Sequence, residues 1–457
     1  LINKTKVIWS CRECGHSQPK WTGSCSSCQN WNTFLQETSI EEKKSRFVSK
    51  KTQSAKAIRI TEIPIGEVKR LTTRMGELDR LFGGGVVGGS LILVGGEPGV
   101  GKSTLMLQIA NSFALQGLTV LYVCGEESSE QTSIRAKRLG VESPNLYLLS
   151  ETLFSAIRDQ IDQIQPDVAI VDSVQIVYKS EIASSPGSVT QVREITTEFM
   201  HLAKGHGITT FLIGHVTKSG ELAGPRVLEH LVDTVLDFEG DKQHGYRMLR
   251  SVKNRFGPTD EISIFQMKET GLTEVVNPSQ AFLEGRMKEL SGSAIVPGLE
   301  GARSFLLEIQ ALVTPTAFST PSRRSAGLDQ NRLALLLAVL EKRVGYQLHH
   351  CDVFVAIAGG LKIVEPAIDL AIILAIASSF SNRALPSDLV ILGEVGLGGE
   401  VRSVTRIETR LKEAIHMGFK KCILSNRNLK GLSPGLTEKI QLIGVDLVDQ
   451  AIQGVFV

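Results

Sequence analysis

The sequence predicts an α/β protein in three parts: a small cysteine-held module, a phosphate-binding domain with a mostly parallel sheet, and a second α/β domain. Three observations carry this. Gly96-Glu97-Pro98-Gly99-Val100-Gly101-Lys102-Ser103 lies between an apolar run and an amphipathic one. Cys11, Cys14, Cys25 and Cys28 form two Cys-x2-Cys pairs separated by ten residues. Between and beyond them, apolar stretches of strand length alternate with stretches of helical period.

The bulk numbers fit this division. A chain of 457 residues is too long for one ordinary core, and roughly three domains is the expectation. The net charge is only +2, so a nucleic-acid partner must be argued from local clusters. No window reaches the ~18 unbroken apolar residues of a membrane span. The most apolar stretch, 367–379, contains Asp369 and reads as a buried helix. The first residues lack the apolar segment of a signal peptide, so a soluble cytoplasmic protein without membrane contact is expected.

The first part spans 1–36. Each Cys-x2-Cys turn aims two thiolates at one point, and two turns complete a tetrahedron for Zn2+. Four protein ligands leave no open position, so the metal is expected to be structural; His16 is expected to be a bystander. All three tryptophans, Trp9, Trp21 and Trp31, flank the cysteines. Their expected role is apolar cover in a module too small for its own core. Stacking on a nucleic-acid base is the alternative. A basic linker, 37–62, follows: Lys43, Lys44, Arg46, Lys50, Lys51, Lys56 and Arg59 occur with no acid between Glu42 and Glu62.

The second part spans 63–285. A strand at Ser90–Val94 leads into the Gly-rich loop, and a helix from Lys102 to about Gln116 leaves it, with Leu105, Ile109 and Phe113 on one face. Glycines at 96, 99 and 101 let backbone N–H groups turn inward around phosphates, and the helix N-terminus adds positive partial charge. Lys102 is expected to reach the β- and γ-phosphates of ATP, and Ser103, followed by Thr104, to meet Mg2+. Val168–Asp172 is a short apolar run ending in an acid, which places Asp172 on Mg2+ through water. A strand at Thr119–Val123 ends near Glu126 and Glu127, and a carboxylate there could polarise an attacking water. A solvated helix start is an equal reading of these two acids.

The ribbon, the Gly-rich loop, Tyr122-Val123-Cys124-Gly125-Glu126-Glu127-Ser128, Gly214-His215-Val216-Thr217-Lys218 and Lys253-Asn254-Arg255-Phe256-Gly257 together resemble the bacterial RadA (Sms) family of DNA repair proteins. The resemblance covers essentially the whole chain, and the Lys-Asn-Arg-Phe-Gly segment is its most specific signature. It implies a RecA-type ATPase core in a ring-shaped, hexameric homo-oligomer. It also implies DNA-stimulated hydrolysis that powers branch migration or unwinding of single-stranded and branched DNA, with contact to the RecA recombinase. By position, Glu126 matches the water-activating glutamate. His215 matches the residue that senses the γ-phosphate. Lys253 and Arg255, two apart on the alternating segment Tyr246–Phe256, can share a face and meet ATP held by a neighbouring subunit. Two polar, Gly-containing segments, 178–188 and 216–230, are expected to be flexible and to face DNA, with Lys179, Lys218 and Arg226 among their residues.

The third part, 286–457, resembles the proteolytic domain of Lon proteases, most clearly from Gly393-Glu394-Val395-Gly396-Leu397 to Gly418-Phe419-Lys420. Aligned by motif, the serine of the Lon dyad falls on Ala367 and its lysine on Glu408. The resemblance therefore implies a proteolytically inactive domain. Arg323, Arg324, Lys342, Arg343, Arg402, Arg406, Arg410 and Lys412 are candidates for a basic surface toward duplex DNA. A regulatory ATPase of KaiC type and, less in keeping with Ala367 and Glu408, an ATP-dependent protease are the other readings of the whole chain.

Overall fold

A computed structural model describes residues 5–40, 59, 69–214, 227–240, 245–259, 261–287, 289–317, 320–359 and 363–456. Apart from Arg59, the basic linker beyond residue 40 lies outside the described residues, as do His215, Lys218 and Arg226. The chain forms two compact units: 1–239 with 248–259 and 267–273, and 240–247 with 260–266 and 274–457.

The chain opens with strands β1 (Thr5–Cys11), β2 (Ser17–Gln18) and β3 (Phe34–Ile40). β1 pairs antiparallel with both, in a register that sets Cys11 opposite Phe34. Two turns of identical hydrogen bonding hang from this sheet. Gly15 N–H donates to Cys11 O and Cys11 N–H to His16 O; Gln29 N–H donates to Cys25 O and Cys25 N–H to Asn30 O. Each turn needs a left-handed residue four positions on, supplied by Gly15 (φ 72°) and by Gln29 (φ 61°). Gly23, just before the second turn, lies against the Trp31 ring.

Next come β4 (Arg70–Leu71), α1 (Gly76–Leu81) and β5 (Val86–Val87), with β4 and β5 paired antiparallel. The phosphate-binding domain then alternates β6 (Leu91–Gly96), α2 (Lys102–Ala114), β7 (Val120–Cys124), α3 (Ser129–Arg138), β8 (Leu146–Leu149), α4 (Phe154–Ile164), β9 (Val168–Asp172), α5 (Val189–His206), β10 (Thr209–Ile213), α6 (Val227–Leu231) and β11 (Thr234–Gly240). Local chemistry sets the ends. Ser128 and Gln131 form a reciprocal capping box on α3, Ser188 caps α5, and left-handed Gly207 closes it. Leu105, Ile109 and Phe113 of α2 are fully buried, as their spacing predicts.

The strands pair in the order β11-β6-β10-β9-β7-β8, all parallel, and β12 (Tyr246–Asn254), β13 (Ile262–Lys268) and β14 (Gly271–Glu274) continue the sheet beyond β11. β6 is buried along its whole length, as a central parallel strand must be. One core layer gathers Leu91, Val123, Ile157, Val171, Phe199 and Leu212. The carboxyl ends of β6, β7 and β9 therefore open at one edge of the sheet.

The second unit contains α7 (Pro278–Leu283), β15 (Ser293–Glu300), β16 (Arg303–Pro315), β17 (Arg323–Ala326), α8 (Gln330–Val339) and β18 (Cys351–Ile357). Its four-stranded sheet runs β15-β16-β18-β17. The predicted buried helix is α9 (Asp369–Ser381), whose residues 369–378 are all buried. After it come β19 (Leu389–Ile391), β20 (Glu394–Val395), β21 (Val401–Arg402), α10 (Ile407–His416), β22 (Lys421–Ser425), α11 (Pro434–Thr437), β23 (Gln441–Val445) and α12 (Val448–Phe456). No described helix is long and apolar enough to cross a membrane.

One expected surface cation is buried. Arg410 has no exposed side-chain area. Its guanidinium donates to Thr405 O at 2.9 Å, Pro297 O at 2.8 Å and both carboxylate oxygens of Glu365. Nothing in the residues next to Arg410 signals this, because its acid lies 45 positions away. Arg410→Met should therefore destabilise this unit by about 3–5 kcal/mol, since it strands a partly buried carboxylate and two carbonyls. Urea unfolding measures this, and a loss below about 1 kcal/mol would show the pair to be dispensable.

Candidate functional site

The Gly-rich loop crosses from β6 to α2. Gly96 (φ 152°) and Gly101 (φ 117°) permit the turn. A side chain at Gly96 would stand 2.4 Å from Phe238 O, so only glycine lets β6 lie this close to β11. Glu97, Pro98 and Gly99 are exposed, Val100 is buried, and Ser103 and Thr104 are half-buried in the first turn of α2. Gly101 caps α2 without a side chain, which leaves the N-terminal amides open to an anion. The buried ammonium of Lys102 donates to Gly96 O at 2.6 Å and Glu97 O at 2.9 Å. Burial lowers its pKa, and the carboxylates of Asp172, Glu126, Asp237 and Glu97 oppose that shift.

β9 and β7 bring the acids. Asp172 ends β9, where the Tyr122 hydroxyl donates to its Oδ2 at 2.8 Å. Burial raises the Asp172 pKa, against hydrogen bonds from Ser103 and Tyr122 that favour the anion. The Tyr122 hydroxyl is itself pushed well above its ordinary range, by burial and by the neighbouring Asp172. The two adjacent glutamates diverge. Ser173 Oγ donates to Glu126 Oε1, whereas Glu127 is ion-paired with Arg135. Gly125 before them is needed for space, since a Cβ there would meet Ile176 at 2.2 Å. A polar pocket lined by Ser103, Tyr122, Glu126, Glu127, Arg135 and Asp172 lies at this junction. The arrangement combines an anion cradle, a buried cation and oxygen donors suited to a hard cation such as Mg2+.

Lys253 and Arg255 lie elsewhere. β12 ends at Asn254, so Arg255 falls just beyond the strand expected to reach Phe256. The two cations still converge, on 229–233. Lys253 Nζ donates to Glu229 O and, at 2.8 Å, to Val232 O. Arg255 Nη1 meets the buried Asp233 carboxylate at 3.3 Å. Asp233 Oδ2 in turn accepts the N–H of Leu91, the first residue of β6. Asp233 thus marks the end of β6 opposite Gly96, about 16 Å away at ~3.3 Å per residue.

Of the segments expected to face DNA, 178–188 is fastened rather than loose. The buried Gln191 amide donates to Lys179 O, Ile182 O and Ser184 O, and Lys179 Nζ is paired with Glu198 at 2.6 Å. This single glutamine, on the helix that follows, carries no sequence signal of such a role.

In the ribbon the four cysteine sulfurs lie within 4.8 Å of one another. Cys11 and Cys28 Sγ are 3.7 Å apart, and Cys14 and Cys25 Sγ are 3.5 Å apart. A tetrahedral ion with Zn–S bonds of ~2.3 Å needs edges of about 3.8 Å, so the four thiolates fit a structural zinc site. His16 is not among the ligands; its Nε2 meets Ser26 Oγ at 3.1 Å. Trp9 packs on the cysteines as expected, but Trp21 and Trp31 are 50% and 74% exposed and give no cover.

Residues 60–221 match the AAA domain model, 9–36 the rubredoxin metal binding domain model, and 332–428 the model described as subunit ChlI of Mg-chelatase. The DNA repair protein RadA of Chlamydia muridarum is 51% identical over 450 residues, 98% of each chain. That of Bacillus subtilis is 50% identical over 454 residues, again 98% of each. A solved structure of the KaiC-like protein PH0186 from Pyrococcus horikoshii OT3 aligns with 46% of this chain and 99% of its own at 18% identity and a TM-score of 0.39.

Proposed function

The chain belongs to the bacterial RadA family of DNA repair proteins, and from that premise we propose that it couples ATP hydrolysis to branch migration of recombination intermediates. The enzyme is an ATP hydrolase acting in DNA repair and recombination. Its core holds ATP on the loop 96–104, and its ribbon holds zinc. The finer reading adds a cytoplasmic hexameric ring working on single-stranded and branched DNA, in contact with the RecA recombinase. Ser103 and Asp172 are the residues suited to hold Mg2+, which when bound would offset the charge of the phosphates. Glu126 orients the attacking water, and His215 senses the γ-phosphate.

The observation that carries the ring is the placement of Lys253 and Arg255. Both sit at the end of β6 remote from their own phosphate loop, so they can serve ATP only on another subunit. Arg255→Ala is accordingly expected to bind nucleotide with wild-type affinity but to lose branch migration by roughly 10³-fold or more. Nucleotide-binding titration and a branched-DNA migration assay test this; full migration by the variant would remove the proposed role.

The C-terminal part is proposed to be Lon-like and proteolytically inactive. Ala367 offers no nucleophile, and Glu408, whose carboxylate accepts the Ser433 N–H at 2.9 Å, offers no amine. The acids on either side of Ala367 are both tied up, Glu365 by Arg410 and Asp369 by Arg332. Its remaining basic residues supply a surface for duplex DNA. Phosphate contact should dominate over base reading, so overall DNA affinity should fall by 10³-fold or so between 50 and 200 mM salt. Affinity unchanged over that range, or hydrolysis indifferent to single-stranded DNA, would instead favour a regulatory ATPase that does not move on DNA.

A further inference from the structure

Trp21 and Trp31 are not needed to cover the metal. Cys11, Cys25 and Phe34 are buried with Trp9 against them, while the other two indoles stand largely in solvent. Leaving two indoles exposed forgoes stabilisation that so small a module could use, which marks the rings as a contact surface.

Both rings are carried on fixed backbone. The Gln18 amide donates to Lys20 O at 2.8 Å and Thr22 Oγ1 at 2.7 Å, which pins the turn bearing Trp21. Trp31 pairs with Ser24 in an isolated antiparallel bridge, and Asn32 N–H donates to Gly23 O at 2.8 Å. Atoms of the Trp31 six-membered ring come within 3.3 Å of where a Gly23 Cβ would be, so the absence of that Cβ makes room for the ring. The surroundings choose between partners. Between Ser17 and Thr33 the apolar side chains other than cysteine are Trp21, Trp31 and Pro19, set among Ser, Thr, Asn and Gln with Lys20 alongside. Tryptophan also anchors protein interfaces, but there it sits in a well-packed, desolvated pocket, whereas these two rings are flanked in the chain by polar side chains. Between Glu13 and Glu37 there is no Asp or Glu, so the segment that carries both rings adds no carboxylate of its own against a phosphate backbone. Flat aromatic faces among amides and hydroxyls, without acids, suit unpaired nucleobases.

We propose that Trp21 and Trp31 form a base-stacking platform for single-stranded DNA on the zinc ribbon. This rests on the DNA-directed reading above and adds a site to it. All three tryptophans of the chain lie in the ribbon and all five tyrosines outside it, so tryptophan fluorescence of the full-length protein, excited beyond the tyrosine band, reports on this module alone. Titration with oligothymidylate is expected to quench it saturably. Trp21→Ala and Trp31→Ala should each lose most of the quenching and weaken oligothymidylate binding by roughly 10-fold, the effect of one lost base stack. Zinc content equal to wild type shows that the variants keep the ribbon. DNA-stimulated hydrolysis on the same samples separates the two readings. Hydrolysis that responds to DNA, with fluorescence unmoved and both variants binding like wild type, overturns the platform, leaves the ATPase function standing and assigns the indoles to a protein partner. If neither hydrolysis nor fluorescence responds, both readings fall.

Discussion

Replacing Lys102 with alanine is expected to lower phosphate release from ATP by roughly 10²–10³-fold or more. The ammonium of Lys102 is hydrogen-bonded to the loop, and it lies inside the protein rather than in water. A charge removed from water acts on phosphate with far less screening than a surface lysine would. Its present partners, Gly96 O and Glu97 O, hold it against the backbone of the loop itself. The variant should still fold. Two carbonyls lose a donor, which costs about 1–3 kcal/mol, a fraction of ordinary domain stability. Nucleotide-binding titration, phosphate release and a thermal melt together separate loss of chemistry from loss of fold. A variant that hydrolyses ATP at the wild-type rate would remove Lys102 from the proposed site.

The parts legible in the sequence are those whose chemistry is local. The phosphate loop could be read because glycine spacing, the flanking strand and the following helix all lie within about 25 residues, and each element then formed within a residue or two of its expected bounds. The zinc ligands could be read for the same reason. What escaped depends on partners distant in sequence. Arg410 looked like surface charge because Glu365 is far from it along the chain. The segment 178–188 looked loose because the residue that fastens it, Gln191, lies on the next helix. The convergence of Lys253 and Arg255 could be suspected from their two-residue spacing, but not where it occurs. That required knowing that Asp233 binds the start of β6. Composition likewise cannot tell that Trp9 packs on the cysteines and Trp31 is exposed; only the neighbours hint at it, since Trp9 follows Val7 and Ile8 whereas Trp31 lies between Asn30 and Asn32.

Glu126→Gln is the second large effect, and set beside Glu127→Gln it tests the assignment of the base to Glu126. Removing a general base costs about 10²–10⁴-fold in turnover. Glutamine keeps the size of Glu126 and can still accept the hydrogen bond from Ser173 Oγ. Nucleotide affinity should therefore hold while turnover falls, because the change removes only the ability to take a proton from water. Glu127→Gln should behave differently. Its carboxylate is committed to Arg135, so the substitution frees a guanidinium in the pocket but leaves the candidate base in place, and turnover should change by less than about 10-fold. The reasoning is geometric. Ser173 directly follows Asp172, so a carboxylate held by Ser173 is held next to the acid that ends β9, and β7 and β9 are paired at Cys124 and Asp172. A general base is useful only within reach of the attacking water, so the expected loss of turnover tests whether Glu126 lies within that reach of a phosphate on the loop. Single-turnover hydrolysis of the two variants at saturating ATP separates the assignments. If Glu127→Gln is the slower enzyme, the base is Glu127, and the Ser173 hydrogen bond to Glu126 serves only to close the end of β7.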